Sequence, residues 1–298
     1  MIQLVNNLTP SANFYHIQPK SKQITGCEKM RPFLKWPGGK RWLIARYVNM
    51  FPNEYGTYFE PFLGGGSVFF HIMPQQATIS DVNSELINTY RMMAKKPARL
   101  RALLENHQEN HNAQYYYTVR STIPNNALER AARVLYLNRT CFNGMYRVNE
   151  MGQFNVPIGS KTRFIDDVSL FEEYARLLQY THIRTQDFVA TIRGAGDRDF
   201  VFADPPYTIS QNQNSFIKYN GKLFSWKDQQ RLFRALVQAR ERGAIIISTN
   251  AQFAPLREMY KRAQFHVQTV HRFSSISGQA RGRGRQEELL ISSQPINL

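Results

Sequence analysis

Three consecutive glycines, Gly64 to Gly66, join the apolar stretch "YFEPF" (58–62) to "SVFFHI" (67–72). A second apolar stretch, "ATISD" (77–81), follows and ends on an acid, and "SELINTYRMMA" (84–94) comes next. Strand, glycine turn, helix, strand is how a doubly wound parallel sheet begins, because parallel strands need a crossover and the usual crossover is a helix. Glycine at such a turn lets the chain reverse sharply and lets a ligand approach the backbone. The fold class expected is therefore α/β.

Strand-like runs return late in the chain: "HIRTQDF" (182–188), "DFVFAD" (199–204), "AIIISTN" (244–250), "FHVQTVHRF" (265–273) and "EELLISS" (287–293). Between them "SWKDQQRLFRALVQARERG" (225–243) reads as a helix capped by Ser225 and ended by Gly243. The middle differs. "KKPARLRALLENHQENH" (95–111) and "ALERAARVLYLNRT" (127–140) read as cationic helices. "FNGMYRVNEMGQFNVPIG" (142–159) sets Asn-Gly and Met-Gly turns between short apolar pieces, the pattern of a hairpin. The expected organisation is a loose extension over 1–28, a core domain over 29–92 and 178–298, and an inserted helical plus β-hairpin domain over 93–177. "GQARGRGR" (278–285) reads as a basic loop.

Lys plus Arg number 38 against 22 Asp plus Glu, a formal charge of +16. That excess favours an anionic partner, most simply nucleic acid, and 13% aromatic residues supply rings that can stack on bases. Cys27 and Cys141 are far apart and lack paired spacing, which points to a reducing compartment and away from disulfides or a zinc site. His71, His182, His266 and His271 show no ligand spacing, so no metal is expected. No apolar run approaches the roughly 20 residues of a membrane span. The first 20 residues lack a signal-peptide pattern, so the expected location is cytoplasmic.

The glycine turn does not match the pyrophosphate-binding fingerprints. Phe69 stands where a dinucleotide fold needs its third glycine. Lys40 follows Gly39, but Leu34 and Arg41 occupy the positions where a phosphate loop needs Gly and Ser/Thr. Asp81, ending the next strand, is where a carboxylate takes ribose hydroxyls in such folds. Glu60 adds negative charge before the turn. A cationic, ribose-bearing cofactor without phosphate meets these demands, and S-adenosylmethionine is one.

"DFVFADPPY" (199–207) ends a strand in Asp204, Pro205, Pro206 and Tyr207. Taken alone, such a stretch is more often a tight turn. In this sheet pattern it suits an exocyclic amino group such as adenine N6, a poor nucleophile whose lone pair is delocalised. Two acceptors aimed at its two N–H bonds favour rehybridisation; the Asp204 carboxylate and the Pro205 carbonyl supply them. The prolines fix φ and hold the acceptors rigidly. Tyr207 offers a face on which an extruded base can stack, worth roughly 1–3 kcal/mol.

Together these segments resemble the Dam-type DNA adenine-N6 methyltransferases, over about Arg31 to Ser293. "FLKWPGGK" (33–40) resembles the family's opening segment, "EPFLGGGSVF" (60–69) its methionine-side cofactor motif and "SDVNSELI" (80–87) its ribose-binding one. "LNRTCFNGMYRVNEMGQFNVPIG" (137–159) resembles its DNA-reading hairpin and "DPPY" its catalytic turn. The resemblance implies a Rossmann-like methyltransferase sheet with an inserted DNA-recognition domain. It implies S-adenosylmethionine as cofactor, S-adenosylhomocysteine as product, and adenine in GATC of double-stranded DNA as target. It makes Asp204, Pro205, Pro206 and Tyr207 catalytic. It assigns Trp36, Lys40, Glu60, Phe62, Gly64, Gly66, Asp81, Asp187 and Asp204 to the cofactor. Lys35 and Arg147 should read guanines, an arginine being suited to O6 and N7 together. Arg139, Phe142, Asn143, Met145 and Pro157 complete the DNA contacts, with Phe142 and Met145 replacing the usual Tyr and Leu. A monomer with no membrane association is expected.

Two alternatives stay open at this level: a methyltransferase for RNA or guanine N2, and a binding protein that kept the fold but lost catalysis. From spacing alone Arg147 is better explained as a solvated hairpin charge than as a base contact. A basic surface that neutralises phosphates releases counterions. Duplex-DNA affinity should therefore fall steeply as salt rises; a flat response in a binding titration would assign the basic surface to something else.

Overall fold

The computed structural model describes residues 30–149, 151–165, 170–207, 224–273 and 285–296. The 1–28 extension, most of the Gly/Arg stretch 278–285 and the residues directly after Tyr207 lie outside them. Strands β1 (Tyr58–Glu60), β2 (Ala77–Asp81), β3 (Thr181–Thr185), β4 (Phe200–Ala203), β5 (Ile245–Ala251), β6 (His266–Phe273) and β7 (Arg285–Ser292) form a sheet ordered β3-β2-β1-β4-β5-β7-β6. The first five in that order run parallel, and β7 lies antiparallel between β5 and β6. The strand order reverses between β1 and β4. A crevice opens at the carboxyl ends of strands at such a switch point. Both the glycine turn after β1 and the Asp-Pro-Pro-Tyr turn after β4 stand there.

Side chains alternate across the strands. Phe59, Val201, Ala203 and Ile246 pack with helices α8 (Phe188–Arg193), α9 (Trp226–Glu241) and α10 (Ala254–Arg262). Their neighbours Tyr58, Phe200 and Phe202 meet Phe69 of helix α2 (Ser67–Ile72) and Phe51 instead. Burial on both faces explains why β4 and β5 read as continuous apolar runs rather than alternating ones.

The strand expected over 58–62 stops at Glu60, since Pro61 has no N–H for the ladder. The strand expected over 182–188 ends at Thr185. Asp187 leaves it to cap α8, its Oδ1 accepting from Val189 N at 2.9 Å, so the local preference of Asp for a helix start ends the strand early. Helix α3 (Ser84–Lys95) is capped by Asn83. Gly66, at φ 67°, precedes α2 with no room for a side chain: a Cβ there would come within 2.7 Å of Tyr90 Oη.

The middle of the chain forms helices α4 (Pro97–Glu109), α5 (Ala113–Ser121), α6 (Ala127–Thr140) and α7 (Leu170–Gln179), with α6 and α7 packed on α3. Arg133 of α6 is buried and donates to the Val119 and Arg120 carbonyls near the end of α5, so this cation serves the fold. The hairpin legs are joined by isolated antiparallel bridges, Cys141 with Ile158 and Val148 with Phe154, rather than by continuous strands. Asn143 and Gly144 both adopt positive φ, 57° and 63°, which the Asn-Gly pair tolerates. Among the described residues no helix is long and apolar enough to cross a membrane.

Ser225 and Asp228 form a complete capping box on α9, and Gly243 ends that region at φ 94°. Ser225→Ala should cost about 1 kcal/mol. A thermal melt should show this as a drop of roughly 2–4 °C; an unchanged midpoint would mean the box is energetically idle.

Candidate active site

A cavity of about 520 Å³ spans the switch point. Its walls include Trp36, Glu60, Phe62 and Gly64 to Gly66 on one side, Asp81 and Asp187 beyond, and Asp204 and Pro206 at the far end. One space thus connects the glycine turn to the Asp-Pro-Pro-Tyr turn.

At the glycine side, Gly64 donates its N–H to Asp81 Oδ2 at 3.1 Å, and Asn83 donates to Oδ1 at 3.0 Å. Those bonds stabilise the carboxylate, but burial prevails and raises the Asp81 pKa above the ordinary value. Gly64 has φ 49°, and a Cβ on it would meet Trp36 Cδ1 at 2.8 Å. Trp36 therefore approaches the turn this closely only because the turn is glycine. Trp36 also stacks on Tyr146 of the hairpin, centroids 4.7 Å apart and planes 21° apart.

Glu60 is fully buried and accepts from Tyr58 Oη at 2.7 Å. Burial, with the nearby charges of Asp204 and Asp81, pushes its pKa up to about 8. A carboxyl group facing a cavity in that state is suited to receive a cation. Phe62 stacks on Phe188, centroids 5.2 Å apart, and supplies apolar wall. Asp187 also accepts from Arg231 Nη2 at 2.9 Å, so its carboxylate has partners besides any ligand.

At the far end, Asp204 Oδ1 accepts from Lys40 Nζ at 2.9 Å and Thr249 Oγ1 at 2.7 Å. Oδ2 has no hydrogen-bond partner among the described residues. Burial raises the Asp204 pKa, and Lys40 and Thr249 pull it back. Lys40 is 3% exposed and also donates to Tyr207 Oη at 2.8 Å and Gly38 O at 3.2 Å. Its ammonium lies 5.0 Å from the Tyr207 ring centroid. Tyr207 is half-buried, and burial holds its phenol well above the usual range. Behind Lys40, Glu288 Oε2 stands 3.5 Å from the ammonium, and Arg272 Nε stands 3.0 Å from Glu288 Oε1.

The residues assigned to DNA gather around the hairpin and the segment before α1 (Arg41–Arg46). Phe142 is 57% exposed and donates its N–H to the Pro157 carbonyl at 2.9 Å, which sets these two side by side. Asn143 and Pro157 are exposed and Met145 is half-buried. Arg147 Nε donates to Asn155 Oδ1 at 2.8 Å, fixing the guanidinium across the hairpin. Lys35 is exposed, and its stem runs over Gly144, where a Cβ would meet Lys35 Cδ at 2.3 Å. Arg139 is half-buried, and its Nε donates to the Phe33 carbonyl at 3.0 Å.

Several contributors escaped the sequence reading. Asn138 is fully buried and clamps Lys35 by accepting from its N–H at 2.9 Å and donating to its carbonyl at 2.8 Å. Thr249 sits in the last part of an apolar strand, and Glu288 in another; a pair of carboxylates leading into the apolar run of "EELLIS", the second of them buried, was the available signal. Among the described residues no group of three or more His, Cys, Asp or Glu is arranged to hold a metal ion.

Residues 36–276 match the model of the D12 class N6 adenine-specific DNA methyltransferases. This chain is 37% identical over 273 residues to the type II methyltransferase M1.LlaDCHI of Lactococcus lactis subsp. cremoris, covering 89% of this chain and 95% of that one. It is 31% identical to the DNA adenine methylase of Escherichia coli (strain K12), covering 90% and 97%. It is 30% identical to the type II methyltransferase M.MjaIII of Methanocaldococcus jannaschii, covering 89% and 99%. The chain belongs to the D12 class of N6 adenine-specific DNA methyltransferases, an enzyme family acting on DNA rather than on RNA or guanine N2.

Glu60 holds its proton more tightly when folded than when unfolded. Its contribution to stability is therefore complete below about pH 4.5 and is lost as pH rises to about 8. Glu60→Gln keeps an acceptor for Tyr58 and should flatten that loss, gaining on the order of a few kcal/mol above pH 8. Urea unfolding of both proteins at pH 5 and pH 9 checks this; parallel losses in the two would remove Glu60 as the cause.

Proposed function

We propose that this enzyme draws its methyl group from S-adenosylmethionine in the cavity at the switch point and places it on N6 of an adenine turned out of duplex DNA, within GATC. The observation that carries this reading is the single cavity bounded by Asp81 and the glycine turn at one side and by Asp204 at the other. Its donor set suits that cofactor. Glu60, Asp81, Asp187 and Asp204 make the wall rich in carboxylates, while Phe62, Phe188, Phe202 and Phe224 are apolar surface for a purine. Such a wall favours a cation with sugar hydroxyls over a polyphosphate. Asp81 would take the ribose hydroxyls, Glu60 would lie near the positive charge, and Trp36 and Asp187 would bound the remainder.

When bound, S-adenosylmethionine supplies a methyl group on a positively charged sulfur. The chain supplies the geometry. Asp204 Oδ2 and the Pro205 carbonyl accept the two N–H bonds of the adenine amino group and draw its nitrogen toward a tetrahedral shape. Lys40 and Thr249 hold Asp204 by its other oxygen, so the acceptor has little freedom to turn. Pro206 faces the cavity, and Tyr207, held against Lys40 just outside the cavity lining, would offer its ring to the extruded base. Once methylated, N6 is strongly acidic and its proton passes to Asp204 or water, so Asp204 need not be a strong base.

In this reading residues 93–177 form the target-recognition domain. Lys35 and Arg147 read guanines, Phe142, Asn143, Met145 and Pro157 press against the duplex, and Arg139 supports that surface. The enzyme acts as a monomer in the cytoplasm. Asp204→Ala should lower methylation by several orders of magnitude while duplex-DNA affinity stays within a few-fold, because the loss falls on the transition state. Turnover close to the parent would reject the acceptor role. Base-resolution mapping of methylated adenines in DNA from cells making the protein tests the target; methylation outside GATC would reject that sequence.

A further inference from the structure

Four charges alternate in a chain that ends at the reacting corner: Arg272, Glu288, Lys40, Asp204. The gaps are 3.0 Å from Arg272 to Glu288, 3.5 Å from Glu288 to Lys40 and 2.9 Å from Lys40 to Asp204. Lys40 and Glu288 are 3% and 1% exposed, so both charges are held out of water. Burying a carboxylate on β7 costs free energy that no packing need explains, since Leu289, Leu290 and Ile291 beside it are ordinary core residues. A buried charge kept against that cost and aimed at the lysine behind Asp204 calls for a reason.

We propose that Glu288, backed by Arg272, is a positioning residue for methyl transfer: it shares the Lys40 ammonium with Asp204 and keeps Lys40 from capturing the carboxylate. The proposal rests on Asp204 being the acceptor for the adenine amino group. An unshared lysine at 2.9 Å would polarise Asp204 fully and weaken it as an acceptor at Oδ2. With Glu288 opposite, the attraction is divided, while Thr249 still fixes Oδ1. Arg272 in turn keeps Glu288 from drawing Lys40 away. The other groups facing this corner are Tyr207, whose hydroxyl meets both Lys40 and Glu288, Glu60 and Asp81 across the cavity, and Asp187, Asp228 and Arg231 at its rim.

The test is the single-turnover methylation rate on duplex DNA, measured against pH with saturating S-adenosylmethionine. Removing the Glu288 charge leaves Lys40 wholly to Asp204. Glu288→Gln should therefore move the acid limb to lower pH and cut the plateau rate by about tenfold, with both affinities nearly unchanged. Arg272→Gln leaves Glu288 unshared and should move the limb the other way, to higher pH. A role confined to folding would lower thermal midpoints without opposed shifts. Limbs that coincide with the parent, or that move in the same direction in both variants, overturn the proposal. Should Glu288→Gln fail to fold, Arg272→Gln decides, since Arg272 is partly exposed: a limb shifted to higher pH supports the proposal and an unshifted limb overturns it. Asp204→Ala is run alongside. Retained methylation there would reject the acceptor role itself, whereas lost methylation with unmoved limbs would reject only the part assigned to Glu288.

Discussion

A buried ammonium organises this molecule. Lys40 is nearly sealed from solvent, and a cation there is tolerable only if anions and carbonyls surround it. They come from separate parts of the chain: Gly38 from its own loop, Asp204 and Tyr207 from the turn after β4, and Glu288 from β7. β4 and β7 are not neighbours in the sheet, since β5 lies between them and adds Thr249 to the same cluster. The corner around Asp204 therefore exists only after the sheet has closed in its final order. Fold and chemistry are joined at one nitrogen atom.

The opposite wall follows another rule. It gathers carboxylates, and Glu60, shut away from water and flanked by Asp204 and Asp81, has its pKa pushed up to about 8. Burial first, and neighbouring like charges second, oppose ionisation there. A cation entering such a space would relieve that conflict, so the raised Glu60 pKa and the wall's suitability for a positively charged guest have a single origin.

Much of this was legible in the residues. The glycine turn, Asp81 and the Asp-Pro-Pro-Tyr stretch announced a switch-point site because each demands a local backbone state or ends an apolar run. α2, β2 and α6 appear at the expected residues for the same reason. The capping role of Asp187 was hidden by its flanks: the strand expected over 182–188 continued through it. The hairpin was read as paired strands, whereas its legs touch at bridges, since Pro157 cannot donate and the turn residues occupy so much of it. The roles of Thr249, Asn138 and Glu288 were harder to read for a different reason. Their importance lies in partners 45, 103, or more residues away, and nothing in their own neighbourhoods names those partners. Long-range polar contacts are written by topology, which local patterns do not carry.

Trp36 touches the glycine turn and also stacks on Tyr146 of the hairpin. The indole is therefore shared between the surface assigned to DNA and the cavity wall. A shift of the hairpin that slides Tyr146 must also move the indole that backs Gly64, and a guest that presses on the indole must push back on the hairpin. Any coupling carried through that indole would run equally in both directions.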